Sequence, residues 1–156
     1  MTYKVDKQIL VQTSALPATQ SISTSYVEVT GSKAQIDLKK TSSWLYKFSF
    51  YTFSTDSSAL FLHAQLESSN DNFSSDVQTI SGAQRNLAGD TNQSSDKYYQ
   101  VHTVMFIVQD LDRDYLRLRV RSYSANTECD LHRSTSFDGS TSSDVCYNPS
   151  LLIMEL

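Results

Sequence analysis

The sequence predicts an all-β protein, an antiparallel two-sheet sandwich in jelly-roll order, and three observations carry that prediction. Several segments alternate strictly between apolar and polar residues, the period of a strand with one face in a core and one in water. Aromatic residues make up 11% of the 156, and most other apolar residues are Val, Ile or Leu, side chains that suit a pleated, half-buried surface. No window holds a sustained i, i+3, i+4, i+7 apolar stripe, so helices are expected to be few and short.

In chain order, "KVDKQILVQT" is one short alternating piece, and the Ser/Thr-rich stretch around Pro17 has no pattern. Residues 1–24 are therefore expected to form an N-terminal arm, and residues 25–156 the jelly-roll domain. "SYVEVTGS" places Tyr26, Glu28 and Thr30 opposite Val27 and Val29, and Gly31-Ser32 turns the chain into "AQIDL". "WLYKFSFYTF" sets Trp44, Tyr46, Phe48 and Phe50 against Leu45, Lys47, Ser49 and Tyr51. "ALFLHAQLES" sets Leu60, Leu62, Ala64 and Leu66 against Phe61, His63, Gln65 and Glu67. Residues 68–96 are polar and broken, which suggests one short strand near residues 77–80 inside long loops.

"KYYQVHTVMFIVQ" differs from the others because both of its faces are apolar. Val104, Phe106 and Val108 share one, and Val101, Met105 and Ile107 share the other. Such a strand is covered on both sides, by a further layer or by another subunit. The acidic turn "DLDRD" leads into "DYLRLRVRSY", where Leu116, Leu118 and Val120 alternate with Arg117, Arg119 and Arg121. "ECDLHRSTSF" and "DVCYNPSLLIMEL" close the chain. The total is about nine or ten strands, with no room for crossover helices.

Size and charge narrow the function classes. A chain of this length fits one domain and buries roughly 70% of its unfolded surface, enough for a core without metals or disulfides. The formal net charge of −4 argues against a nucleic-acid partner, which needs a basic face to displace counterions from phosphates. No segment approaches ~20 continuous apolar residues, so no membrane partner is expected. Lys4, Asp6 and Lys7 stand where a secretory signal would carry its apolar run, which points to a cytosol-like compartment. Cys129 and Cys146 are expected to stay thiols there, with pairing left open on exposure to oxidant.

No constellation satisfies the demands of catalysis. Asp110, Asp112 and Asp114 have the spacing that opens a calcium loop, but Tyr115 replaces the sixth-position Gly and Arg121 the twelfth-position Glu. Cys129, His132 and Cys146 would need a fourth ligand to hold zinc. There is no G-x-S-x-G elbow, the four glycines never cluster, and His63 and His102 sit in alternating strands where packing is the common role. The expectation is a protein with no catalytic residues, no metal and no cofactor.

The arginine row leaves three readings open. Alternate side chains on a strand face lie ~7 Å apart, so three guanidiniums repel one another unless acids lie across the ladder or on a neighbour. The row is a wet strand face paired within its own sheet, an interface with another subunit or a shell, or a contact for a glycan, sulfate or nucleic acid. The residues expected at a subunit or shell interface are Arg117, Arg119, Arg121, Val101, Met105 and Ile107.

A family likeness adds to this. "TSYVEVTGSKAQIDLKKTSSWLYKFSFYTF" runs as a short strand, a Gly-Ser turn, a second short strand and a long aromatic strand, and the chain ends in "PSLLIMEL". Over residues 25–156 this resembles the tumour-necrosis-factor/C1q-like jelly-roll domains of tailed-phage virion proteins. The resemblance implies a homotrimer about a threefold axis, located in the virion after assembly in the host cytoplasm. It would bind the major capsid protein or another virion protein, as a capsid decoration or cement protein. A receptor- or glycan-binding head of a tail or fibre is the alternative. The short arm, with no coiled-coil or repeat shaft, favours decoration.

Overall fold

The computed structural model describes residues 9–13, 19–38, 42–54, 61–88, 98–109, 111–123, 129–132 and 148–156. The regular elements among them are all strands: β1 (Ile9–Thr13), β2 (Gln20–Ile22), β3 (Val27–Glu28), β4 (Ala34–Leu38), β5 (Trp44–Ser54), β6 (Phe61–Ser69), β7 (Gln78–Ala88), β8 (Tyr98–Val108), β9 (Arg113–Ser122), β10 (Cys129–Leu131) and β11 (Ser150–Glu155).

Two antiparallel sheets form a sandwich. In the first, β8 pairs with the whole of β5, from Trp44↔Val108 to Ser54↔Tyr98. On the other side of β5, β11 takes residues 44–49 and β10 takes residues 52–54. β1 then flanks β11, and β2 flanks β10. The second sheet runs β3 and β4 end to end along one side of β9, then β9, β6 and β7. Counting each split pair as one strand, the order is first–last–third–sixth over second–seventh–fourth–fifth, the order of a jelly roll. Residues 9–13 and 20–22, placed above in an arm, are thus edge strands of the first sheet.

The core follows the alternation of the sequence. Trp44, Tyr46, Phe48 and Phe50 of β5 face inward with Val104, Phe106 and Val108 of β8 and Leu151 and Ile153 of β11. Leu62, Ala64 and Leu66 of β6 and Leu116, Leu118 and Val120 of β9 close on them from the second sheet. Ser49 and Tyr51, expected on the wet face of β5, are buried, and Ser49 meets Thr103 across the ladder at 2.8 Å.

One hydroxyl completes the ladder where β3 gives way to β4, beside the Val29 amide that donates to the Leu118 carbonyl at 3.0 Å. Leu118 lies between the β9 residues paired with these two strands. The buried Ser32 Oγ accepts from the Leu118 N–H at 3.1 Å and donates to its carbonyl at 3.2 Å. Gly31, at φ 85°, makes the turn that delivers Ser32 there. From the opposite sheet, the Tyr46 hydroxyl donates to the Ser32 carbonyl at 2.8 Å, so the sheets are hydrogen-bonded through the core. Burial pushes the Tyr46 phenol well above its ordinary pKa, which keeps it a donor.

The main departure is β7, an eleven-residue strand where a short one was expected among loops. Most of its side chains are exposed, because it is an edge strand with β6 as its ladder partner. A register shift opposite residues 65–67, near Gly82 at φ 75°, breaks the alternation that would have marked it.

Candidate functional site

The outward face of the first sheet carries the exposed apolar surface. Val101, Met105 and Ile107 of β8, with Ile9 and Val11 of β1, are between 50% and 69% exposed. Register joins the two edges into rows. Ile107, Leu45, Met154 and Ile9 lie side by side across β8, β5, β11 and β1. Met105, Lys47, Leu152 and Val11 form the next row, and Lys47 is its one charge. Sequence reasoning found the β8 part; Ile9, Val11, Leu152 and Met154 were legible as alternating residues, but their alignment with β8 depends on strand order.

The arginine row lies on the outward face of the second sheet, and carboxylates of the same chain reach it. Arg117 meets Glu67 at 2.7 Å and Glu28 at 3.1 Å. Arg119 meets Glu67 at 3.3 Å and donates to the Tyr26 carbonyl. Arg113 pairs with Asp76. Arg121 places its guanidinium 4.9 Å from the Tyr26 ring centre, and its buried Nε has no hydrogen-bond partner among the described residues. Repulsion along the row is therefore offset within the chain by acids across both ladders.

A loop that pattern reading passed over covers part of this face. Asp71 accepts from the backbone amides of Ser74, Ser75 and Asp76 and from the Ser69 and Ser75 hydroxyls. Its bonds with Ser75, Asp76 and Ser69 hold its carboxyl far below the usual carboxylate range. The cluster keeps Asn72 and Phe73 at positive φ, 57° and 65°, an unfavourable backbone for Phe. The result is a Phe73 ring 4.1 Å from the Arg117 guanidinium carbon and edge-on to Tyr115. The run "SSNDNFSSD" was the available signal, since Asn, Asp and Ser bond neighbouring backbone.

The remaining titratable groups face the interior. His102 bonds Thr52 Oγ1 at 2.9 Å, and burial lowers its pKa to about 4. His132, at φ 59°, is buried with neither ring nitrogen partnered among the described residues, and burial likewise lowers its pKa to about 4. Burial, with Asp130 nearby, pushes the Cys129 thiol up to about 12, so it is a poor nucleophile. Cys146 and Asp110 lie outside the described residues, while Asp112 and Asp114 are exposed. Among the described residues no group of three or more His, Cys, Asp or Glu side chains is placed to hold a metal ion.

Fold and surface thus define an antiparallel jelly-roll sandwich with one apolar and one ion-paired outer face. No family model matches the chain, and no curated protein matches it. Among solved structures it is similar to a chain in the structure of infectious bursal disease virus Gx strain, at 15% identity and a TM-score of 0.43. That match covers 96% of this chain, which spans 36% of the other.

Proposed function

We propose that this chain is a non-enzymatic virion structural protein, a jelly-roll domain that assembles as a homotrimer and decorates or cements a phage capsid. The observation that carries the reading is the apolar outer face of the first sheet. Five aliphatic side chains there are at least half exposed. At on the order of 100 Å² each they present about 500 Å², the size of the largest and often functional apolar patch on a typical monomer. A stable interface takes about 800 Å² from each partner, so this face supplies the centre of one and its surroundings the polar rim. Met105 and Ile107 are the interface centre in this reading.

The arginine face contributes less to assembly than the apolar one. Arg117 and Arg119 already hold carboxylates, and breaking those pairs to form others gains little. Arg121 has no ion pair among the described residues, its guanidinium lying over the Tyr26 ring, and it is the row's candidate for a shell contact.

Antibody labelling of intact particles tests the reading. Label distributed over the shell is the expected result. Label confined to the tail would overturn decoration and favour a receptor-binding head.

A further inference from the structure

The second sheet's outer face ends in an aromatic-walled cavity that the assembly reading leaves unused. Phe61 and Tyr123 are 49% and 73% exposed there. The Tyr123 amide donates to the Phe61 carbonyl at 3.0 Å, which ties the end of β9 to the start of β6. The Tyr123 ring lies 6.1 Å from the His63 imidazole and 18° from parallel to it. Across the β6–β7 ladder, His63 stands opposite Asn86 and Phe61 opposite Ala88. With Leu62 these residues line a cavity of about 300 Å³, at the small end of the range for ligand sites.

The chemistry of the lining narrows the ligand. None of the six side chains carries a permanent charge, and Arg121, the β9 partner of His63, turns its guanidinium away over Tyr26. A phosphate or carboxylate would therefore find no cation among the described residues of the wall. A pure hydrocarbon would desolvate the Asn86 amide without bonding it. A ligand with one flat apolar face and a rim of neutral hydroxyls satisfies both parts.

We propose that this cavity binds a neutral sugar ring. The ring's C–H face stacks on Tyr123 and Phe61, and its hydroxyls bond the Asn86 amide and the His63 imidazole. Two exposed aromatic rings would otherwise stay in water. This site does not depend on the assembly reading, because it lies on the other sheet.

Saturation-transfer NMR on the full chain tests it, with glucose, galactose, mannose and N-acetylglucosamine as probes and adenosine and indole as competitors. Transfer to the ring protons of at least one sugar is expected, weakened at least tenfold by Tyr123→Ala and by Asn86→Ala, with unchanged far-UV circular dichroism and thermal midpoint. No transfer to any sugar would overturn the proposal. So would transfer that survives both substitutions, or transfer to adenosine or indole alone.

Discussion

Glu67 stands directly opposite Arg117 in the β6–β9 ladder and meets it at 2.7 Å while only 2% exposed. The same carboxylate takes Arg119 on its other oxygen. One buried acid thus serves two arginines, and removing it leaves both short of a partner. Glu67→Ala is expected to cost about 3 kcal/mol or more of unfolding free energy, the range for breaking a buried pair. Arg119→Ala, at the more exposed end, is expected to cost about 1 kcal/mol. Urea denaturation measures both, and equal losses would mean that the shared carboxylate is not the centre of the network.

Tyr46 and Ser32 link the sheets, so Tyr46→Phe tests a bond rather than a volume. It strands the Ser32 carbonyl in the core at a cost of about 1–2 kcal/mol, read as a few degrees in Tm. Ser32→Ala orphans the Leu118 N–H and is expected to cost a similar amount. No change in Tm for either would show that water or a backbone shift replaces the bond.

Acid is expected to destabilise the fold through its two buried imidazoles. His102 and His132 stay neutral in the folded chain down to about 4, whereas in the unfolded chain they titrate near ~6.5. Between those values the unfolded chain holds protons that the folded one refuses, so stability falls as pH drops through that window, by on the order of 3 kcal/mol per histidine. Asp71 acts in a lower window: its stabilisation is complete above ~4 and is lost only below that. Unfolding free energies at pH 7.5, 6 and 5 are expected to decline stepwise, with a smaller decline in His132→Leu. A flat profile would show that the two imidazoles are not held neutral.

Much of the fold was legible because strict alternation reports burial directly. Trp44, Tyr46, Phe48 and Phe50 point inward as their period requires, and so do Leu116, Leu118 and Val120. β7 was missed because an edge strand with a register shift has little need of apolar periodicity. The acids that meet the arginine row were present in the pattern, since Glu67 shares a face with His63 and Gln65. Which strand lies beside β9 is long-range information that no local period contains. The same limit hid the apolar rows of the first sheet, which need β1 and β8 at opposite edges of one surface.

The most direct test of the central claim is sedimentation equilibrium of the purified chain at micromolar concentration, beside Met105→Lys and Ile107→Lys. Both side chains are more than half exposed, so neither substitution disturbs the core. The account predicts a trimer for the parent chain and folded monomers for the two variants. A parent chain that sediments as a monomer across the concentration range, or variants that still form trimers, would contradict it.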